Sequence, residues 1–431
     1  MESNDVIILL ILLGCMATNV PVFLCLFTTT VAGFLMFTDI PVLLLFQTLF
    51  RAMDNFALVV VLFFILCGNI MTAGSIVEKL IKVANALVSW LPGGLGMAGV
   101  LACGLFGAIS GSTVATVVAL GGFMIPALIE KGYPEKYTIG LMTTSPNLGV
   151  IIPPSIGMIL YSMITNCSLK GLFAMGFIPG VLIMFFTCMY TYFFFRKKKE
   201  IVRHPFPSAT ETLKILKEGV WSLMLPVIIF GGIFSGAFTA NEAAVVACVY
   251  AFFVELCIHR SIKFKDVKNI TVSSAITSGT LLIIVAGATC FGRYLTLEDI
   301  PGRITEAVMS TITSPVIFLL IMNILLLIVG MFMDIISATM ILGPVFIPML
   351  AAFNVDVLHF GLIMTINLAI GYCTPPMGVS LYITGAIANR DIIYVTKSVI
   401  PFLIIQIGVL FLMTYWPDLA LLFPKMMGIV Q

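Results

Sequence analysis

Long apolar runs separated by short polar breaks set the pattern of the chain. The runs are Val6–Phe37, Asn55–Met71, Leu172–Phe195, Trp221–Phe238, Ala240–Ile258, Val272–Cys290, Val316–Met333 and Val399–Thr414. Each approaches or exceeds the about 20 residues that take a helix across a hydrocarbon core. Polarity does not alternate within them, as Val59-Val60-Val61-Leu62-Phe63-Phe64 shows, whereas a membrane β-barrel needs alternating strands of about 10 residues. The pattern predicts an all-α polytopic membrane protein, in which helices satisfy their own backbone groups in lipid.

The pattern also repeats. Slid against itself by 222 residues, the chain places Pro126, Pro153, Pro154 and Pro179 on Pro348, Pro375, Pro376 and Pro401, with Gly121 on Gly343 and Gly149 on Gly371. Apolar matches are cheap in such a sequence, but aligned prolines are not, since each is expected to break or kink a helix. The halves are roughly 1–200 and 220–431. About five crossings plus a hairpin are expected in each, and an odd number of crossings makes the two repeats inverted.

Each half carries a module that opens with two short apolar segments meeting at a polar break. In the first, Leu95–Ala108 and Val114–Ile129 meet at Ile109-Ser110-Gly111-Ser112-Thr113; in the second, Val316–Val329 and Ile335–Leu350 meet at Gly330-Met331-Phe332-Met333-Asp334. Segments of about 14 residues are too short to cross, so each pair is read as a re-entrant helical hairpin with its tip near the midplane. A Pro-broken helix follows each hairpin, at Thr143–Ser155 and at Asn367–Pro376. Non-helical backbone at that depth is tolerated only where it packs in protein or lines a cavity, and interrupted segments at matching positions of two halves point to a transporter binding site.

Composition supports the class. Hydrophobic residues make up 60% and charged residues 10% of the 431, far from the roughly 25% charge of a soluble domain. Seven Lys or Arg lie between Arg196 and Lys217 and four between Arg260 and Lys268, and the positive-inside rule puts both segments in the cytoplasm. Two spans separate them, as two loops on one side require. The first basic residue is Arg51, so the basic region of a cleavable signal peptide is missing and the first span is expected to be kept. Ten scattered cysteines without Cys-x-x-Cys read as small buried hydrophobes, and His204, His259 and His359 form no metal motif. Asp-Asp-x-x-Asp and His-Glu-x-x-His are absent, which argues against an enzyme; no cofactor and no nucleic acid are expected.

Freed carbonyls and small hydroxyls are hard oxygen donors suited to Na⁺, and half-helix N-termini suit a carboxylate. The candidates are Ser110, Ser112, Thr113, Ser145, Asn147 and Ser155 from the first half and Asp334, Ser337, Thr339, Asn367 and Thr374 from the second. An ionisable group in an apolar stretch suggests function; Asp334 also reads as a cap for the helix starting at Ile335, and the two roles are compatible. Each hydroxyl has an alternative in bonding a helix carbonyl, and Gly107-x-x-x-Gly111 in helix packing. Arg51, Arg293, Arg303 and Arg390 lie outside the breaks and read as interfacial or structural.

The strings Gly107-Ala108-Ile109-Ser110-Gly111-Ser112, Gly132-Tyr133, Pro146–Ser155 and Leu172–Gly180, then Gly330–Asp334 and Cys373–Gly378, resemble the large membrane subunit of TRAP transporters, the tripartite ATP-independent periplasmic family, essentially end to end. The resemblance implies Na⁺-coupled import of a small organic anion of the C4-dicarboxylate or sialic acid type across a bacterial inner membrane. It implies two partners besides the bilayer: a soluble periplasmic substrate-binding protein and a small four-helix membrane subunit, here a separate chain. It also implies an elevator mechanism, with scaffold helices at 1–90, a transport module at 91–168, scaffold at 169–312 with a cytoplasmic loop at 196–220, a second module at 313–392, and a C-terminal scaffold helix at 393–431. Carried over by position, Ser110, Gly111, Ser112, Asn147 and Gly149 serve one sodium site, and Asp334, Thr339, Gly371 and Thr374 the other. Substrate lies between the tips, near Ser112, Thr113, Ser155, Asp334 and Asn367. Proton coupling through Asp334, and less readily an ion channel, are the rival readings.

Overall fold

A computed structural model describes residues 3–17, 20–38, 40–197 and 209–429, and among them the regular structure is all helical. The first half contains α1 (Ser3–Ala17), α2 (Val22–Phe37), α3 (Leu43–Met53), α4 (Ala57–Ala73), α5 (Ile76–Val88) and α6 (Gly94–Ser110). Then come α7 (Thr113–Thr116), running through a π-helical turn into α8 (Gly122–Glu130), α9 (Glu135–Thr144), α10 (Leu148–Ile151), α11 (Ile156–Thr165) and α12 (Leu169–Arg196). The second half contains α13 (Ala209–Ser235), α14 (Ala240–Phe253, with a π-helical extension to Ile258), α15 (Phe264–Leu297), α16 (Ile300–Thr311) and α17 (Pro315–Phe332). It ends with α18 (Ile335–Ala352), α19 (Val357–Gly371), α20 (Val379–Ala388), α21 (Ile392–Tyr415) and α22 (Pro417–Met426).

Several expected boundaries move, each for a local reason. The run Val6–Phe37 is two helices, because Pro21 takes an extended conformation at the start of α2. The hairpin arms are longer than about 14 residues: α6 has 17, Thr113–Glu130 has 18, and α17 and α18 have 18 each. The breaks shrink to Gly111-Ser112 and Met333-Asp334, because Ser110 still belongs to α6 and Phe332 to α17. At 1.5 Å per residue such arms reach about 26 Å, so length alone does not make them re-entrant. Nor do all the aligned prolines break helices: Pro126, Pro179, Pro348 and Pro401 lie inside α8, α12, α18 and α21.

Ring contacts show that each pair of arms enters and leaves at one face. A Cβ on Gly93, just before α6, would meet Phe195, and the Tyr133 ring just after α8 lies 4.9 Å from the same Phe195. In the second hairpin, Phe318 near the start of α17 stacks on Phe353 just after α18 with centroids 4.3 Å apart. Phe195 sits at the end of α12 beside Arg196, whereas Tyr415, at the end of α21, reaches Val316 O at the mouth of the second hairpin. Helices α12 and α21 run antiparallel: Tyr190 near the end of α12 packs on Phe402 in the first half of α21, at 5.3 Å, while Phe177 near the start of α12 packs at 5.1 Å on Phe423, just past the end of α21. The hairpins therefore open on opposite faces, which makes the repeats inverted.

The basic segments share the face of the first hairpin's mouth. His259, at the end of α14, contacts Ser75 at the start of α5, and Gly219 on α13 packs against Val83 on α5. The positive-inside rule assigns this face to the cytoplasm. Within the basic run, Lys198, Lys199 and Arg203 lie outside the described residues. Large apolar side chains such as Val249, Ile276 and Ile404 point outward, each more than 60% exposed, as expected of helices whose solvent is lipid.

Candidate functional site

The first tip is built by a C-cap meeting an N-cap. Gly111 ends α6 with φ +61°, a conformation open to glycine, and a Cβ there would lie 2.7 Å from Pro154 O in the first broken helix. Ser112 Oγ then caps α7 by accepting from Ala115 N at 3.3 Å. Thr116 Oγ1 donates to Ser112 O at 2.7 Å and lies 3.3 Å from Ser110 Oγ. Three sequence candidates, Ser110, Gly111 and Ser112, thus converge with Thr116, which sequence reasoning passed over.

The second tip repeats this plan with a carboxylate in place of the hydroxyl. Asp334 is the repeat equivalent of Ser112. Its Oδ1 accepts from Ser337 N at 2.9 Å and its Oδ2 from Ser337 Oγ at 2.5 Å, so Asp334 caps α18. The next amide, Ile335 N, donates to Tyr372 Oη at 3.0 Å. The half-buried carboxylate keeps its remaining lone pairs at the end of α18 that attracts anions, and a bound cation there would balance its charge. Thr339 is buried further along α18, beyond the capped turn.

Both broken helices cross their hairpins at paired glycines. A Cβ on Gly149 would lie 3.2 Å from Gly107 Cα, and one on Gly371 would lie 2.5 Å from Gly330 Cα. This close approach is a direct structural duty for Gly149 and Gly371, and it gives Gly107 the packing role open to it in the sequence. The helical breaks themselves lie at Ile152–Ser155 and Tyr372–Gly378 and contain cis Pro153-Pro154 and Pro375-Pro376 bonds. Asn147, Gly149, Asn367 and Gly371 are consequently helical, yet the Gly149 carbonyl loses its helical donor because Pro153, four residues on, has no N–H, while Gly371 O accepts from Thr374 N at 3.0 Å. Pro146 lies in a 3₁₀ turn that follows α9 without a gap, so its missing N–H removes the helical donor for Met142 O four residues before it.

The two asparagines join polar ladders to α21. Asn147 Nδ2 donates to Gln406 Oε1 at 2.8 Å, and Gln406 Nε2 to Thr144 O at 2.9 Å. Asn367 Nδ2 donates to Asn323 Oδ1 at 2.6 Å, and Asn323 Nδ2 to Thr414 Oγ1 at 3.2 Å. Asn367 therefore packs against α17 nine residues before the tip's Phe332 rather than at the tip itself. Thr374 Oγ1 donates to Ile370 O at 2.8 Å.

The modules interlock. Cys373 Sγ reaches Thr143 O at 3.3 Å and Asn147 Oδ1 at 3.5 Å, and a Cβ on Gly157 would lie 2.7 Å from Ile335 Cγ2. Helix α11 of the first half packs on α18, and α20 of the second half on α7 and α8. Several buried oxygens here have no hydrogen-bond partner: Thr113 Oγ1, Ser145 Oγ, Ser155 Oγ and Asn367 Oδ1. Such hard oxygens fit a Na⁺ or a substrate hydroxyl, and an unmet buried polar group is costly otherwise. Among the described residues no cluster of His, Cys, Asp and Glu forms a metal site.

The arginines are more informative than their sequence positions suggest. Arg51 and Arg293 line one cavity of about 840 Å³ on the face opposite the basic loops, between α3, α15 and α16 on one side and α18 with the end of α11 on the other. Arg390 instead makes a bidentate pair with Glu135, both contacts at 2.8 Å, fastening the loop after α20 to the start of α9.

Residues 9–419 match the family model of the tripartite ATP-independent periplasmic transporter, DctM component. The C4-dicarboxylate TRAP transporter large permease protein DctM of Rhodobacter capsulatus is 35% identical over 99% of this chain and 100% of its own length. The sialic acid TRAP transporter permease protein SiaT of Haemophilus influenzae is 33% identical over 99% of this chain and 69% of its own. Among solved structures, the YdaH transporter of Alcanivorax borkumensis shares the fold, with a TM-score of 0.63 at 16% identity over 92% of this chain and 96% of that one. The relatives are transporter permeases rather than enzymes, and this multi-pass membrane chain belongs to the DctM family of TRAP transporter subunits.

Proposed function

We propose that this chain imports a small organic anion, of the C4-dicarboxylate or sialic acid type, across the bacterial inner membrane by Na⁺ symport. The observation that carries the reading is the matched pair of tips, one capped by Ser112 and one by Asp334, each set against a Pro-broken helix. Sodium is a co-substrate here: its charge offsets the carboxylates of Asp334 and of the cargo. The first site draws on Ser110, Gly111, Ser112, Asn147 and Gly149, with Gly149 acting through the close packing that sets the tip. The second draws on Asp334, Thr339, Gly371 and Thr374. Substrate lies near Ser112, Thr113, Ser155 and Asp334, with Asn367 supporting the second broken helix from behind.

The two modules, 91–168 and 313–392, move as one elevator body against a scaffold formed by the remaining helices. Their mutual interlocking supports a single body, and the Arg51–Arg293 cavity lies at its border with α15. On the periplasmic face, Arg51 and Arg293, offset in part by Asp299 of the same cavity, attract the anion released by a soluble binding protein. A small four-helix membrane subunit is the third component.

The test is uptake of labelled succinate and sialic acid into liposomes holding this chain, its small subunit and its binding protein. Uptake that needs both an inward Na⁺ gradient and the binding protein is expected. Uptake driven by a pH gradient and indifferent to Na⁺ would replace sodium by protons and make Asp334 the relay.

A further inference from the structure

A second polar pocket lies on the cytoplasmic face, away from both tips. It has a volume of about 580 Å³ between α5, α13 and the end of α14. Its floor is organised by Glu255, which is fully buried and accepts from Ser75 N and Ile76 N, both at 2.7 Å, at the start of α5. Ser261 Oγ also bonds this carboxylate, and His259 Nδ1 lies 3.1 Å from Ser75 Oγ and 3.6 Å from Glu255 Oε2.

This arrangement leaves acceptors without donors in the pocket wall. The His259 side chain is only 4% exposed, yet its Nε2 has no partner, and neither has Asn85 Oδ1. With Nδ1 turned to Ser75 and Glu255, neutral His259 presents a lone pair at Nε2. Burial first and Lys79 second hold His259 below the ordinary histidine range, against the pull of Glu255, which keeps it neutral. The charges around the pocket are mixed. Lys82 pairs with Glu78 at 2.7 Å, while Lys79 and Glu218 have no ion-pair partner among the described residues. Glu211 adds a further carboxylate to the wall.

Depth identifies the class of ligand. Trp90, just after α5, and Trp221, on α13, are each about 40% exposed on this flank. Tryptophans gather at headgroup level, so the pocket opens where lipid headgroups lie. We propose that it binds the headgroup of an ethanolamine phospholipid, whose ammonium donates to Asn85, His259 and Glu218 while Lys79 receives the phosphate. Choline has no N–H to give these acceptors, and a glycerol headgroup brings no positive charge for Glu218. Helix α5 leads directly into α6, so the lipid would brace the base of the first hairpin.

Native mass spectrometry of the purified full chain, titrated with phosphatidylethanolamine, phosphatidylcholine and phosphatidylglycerol of identical acyl chains, tests the proposal. Phosphatidylethanolamine should be retained about tenfold more strongly; of two variants outside the core, Glu218→Gln should erase the preference, whereas Lys79→Gln should weaken retention of all three lipids alike. Competition by free phosphoethanolamine would show that the headgroup alone suffices. A preference lost in Glu218→Gln but untouched by that competitor would make the lipid itself the ligand. Equal retention of the three lipids, or a preference that Glu218→Gln keeps, would overturn the proposal.

Discussion

The two modules share one plan and differ where the plan meets its surroundings. In the first, Pro153, Pro154 and Ser155 are buried; in the second, Pro375, Pro376 and Met377 are exposed. The covering helix explains the difference. Helix α12 lies on the first break because Gly176 and Gly180 carry no side chain: Cβ atoms there would run into Ile151 and Ile152. The equivalent positions on α21 are Ser398 and Phe402, and α21 packs instead against α9, where Gly140 admits the Ser398 carbonyl. Two further exchanges set the modules apart, Ser112 for Asp334 and Val150 for Tyr372. The first module is thus sealed and neutral, and the second is open and carries the charge.

The shared part of the plan should be the least tolerant of change. Gly107→Val would push a side chain into Gly149 and cost roughly 3 kcal/mol, read as loss of monodisperse protein on size exclusion. Gly122→Ala, with open space beside it, should fold normally. The charge difference comes next. Asp334→Asn keeps a capping side chain but removes the charge, and should weaken apparent sodium affinity about 100-fold. Ser112→Ala loses only a neutral cap, near 1 kcal/mol or about fivefold. Similar losses in the two variants would remove the distinction between the tips.

Exposure can be probed chemically. With the exposed native Cys257 replaced, Met377→Cys should react with a small charged thiol reagent at least about tenfold faster than Ser155→Cys. Equal rates would mean that both breaks are open. The smallest effect belongs to Tyr372→Phe, which removes the acceptor for Ile335 N and should raise the sodium concentration for half-maximal uptake about fivefold. Maximal uptake should persist.

Much of this was legible in the sequence, because prolines, glycines and small hydroxyls mark where helices stop. The repeat, both tips, the hairpins and the capping role of Asp334 follow from those marks. The exact breaks do not. A proline tolerated within α12 or α21 looks in sequence like one that ends a helix, and Ser145–Gly149 keeps helical character although its composition reads as loop. Tyr372 and Gln406 were missed because their importance lies in partners far away along the chain, Ile335 and Asn147. The different fates of the two breaks rest on which residues of α12 and α21 stand opposite them, a fact that only packing supplies.

The central claim is that both modules move together against the scaffold, and two neighbouring residues on α18 test it. A Cβ on Gly292 of scaffold helix α15 would lie 3.8 Å from Pro344 Cβ, and one on Gly343 would lie 3.9 Å from Ile164 Cβ of α11, in the other module. Both spacings suit a disulfide. Oxidising Gly292→Cys/Pro344→Cys should stop uptake, and reduction should restore it, whereas oxidising Ile164→Cys/Gly343→Cys should leave uptake intact. If the scaffold crosslink leaves transport running, or the crosslink within the modules stops it, the two modules do not move as one body.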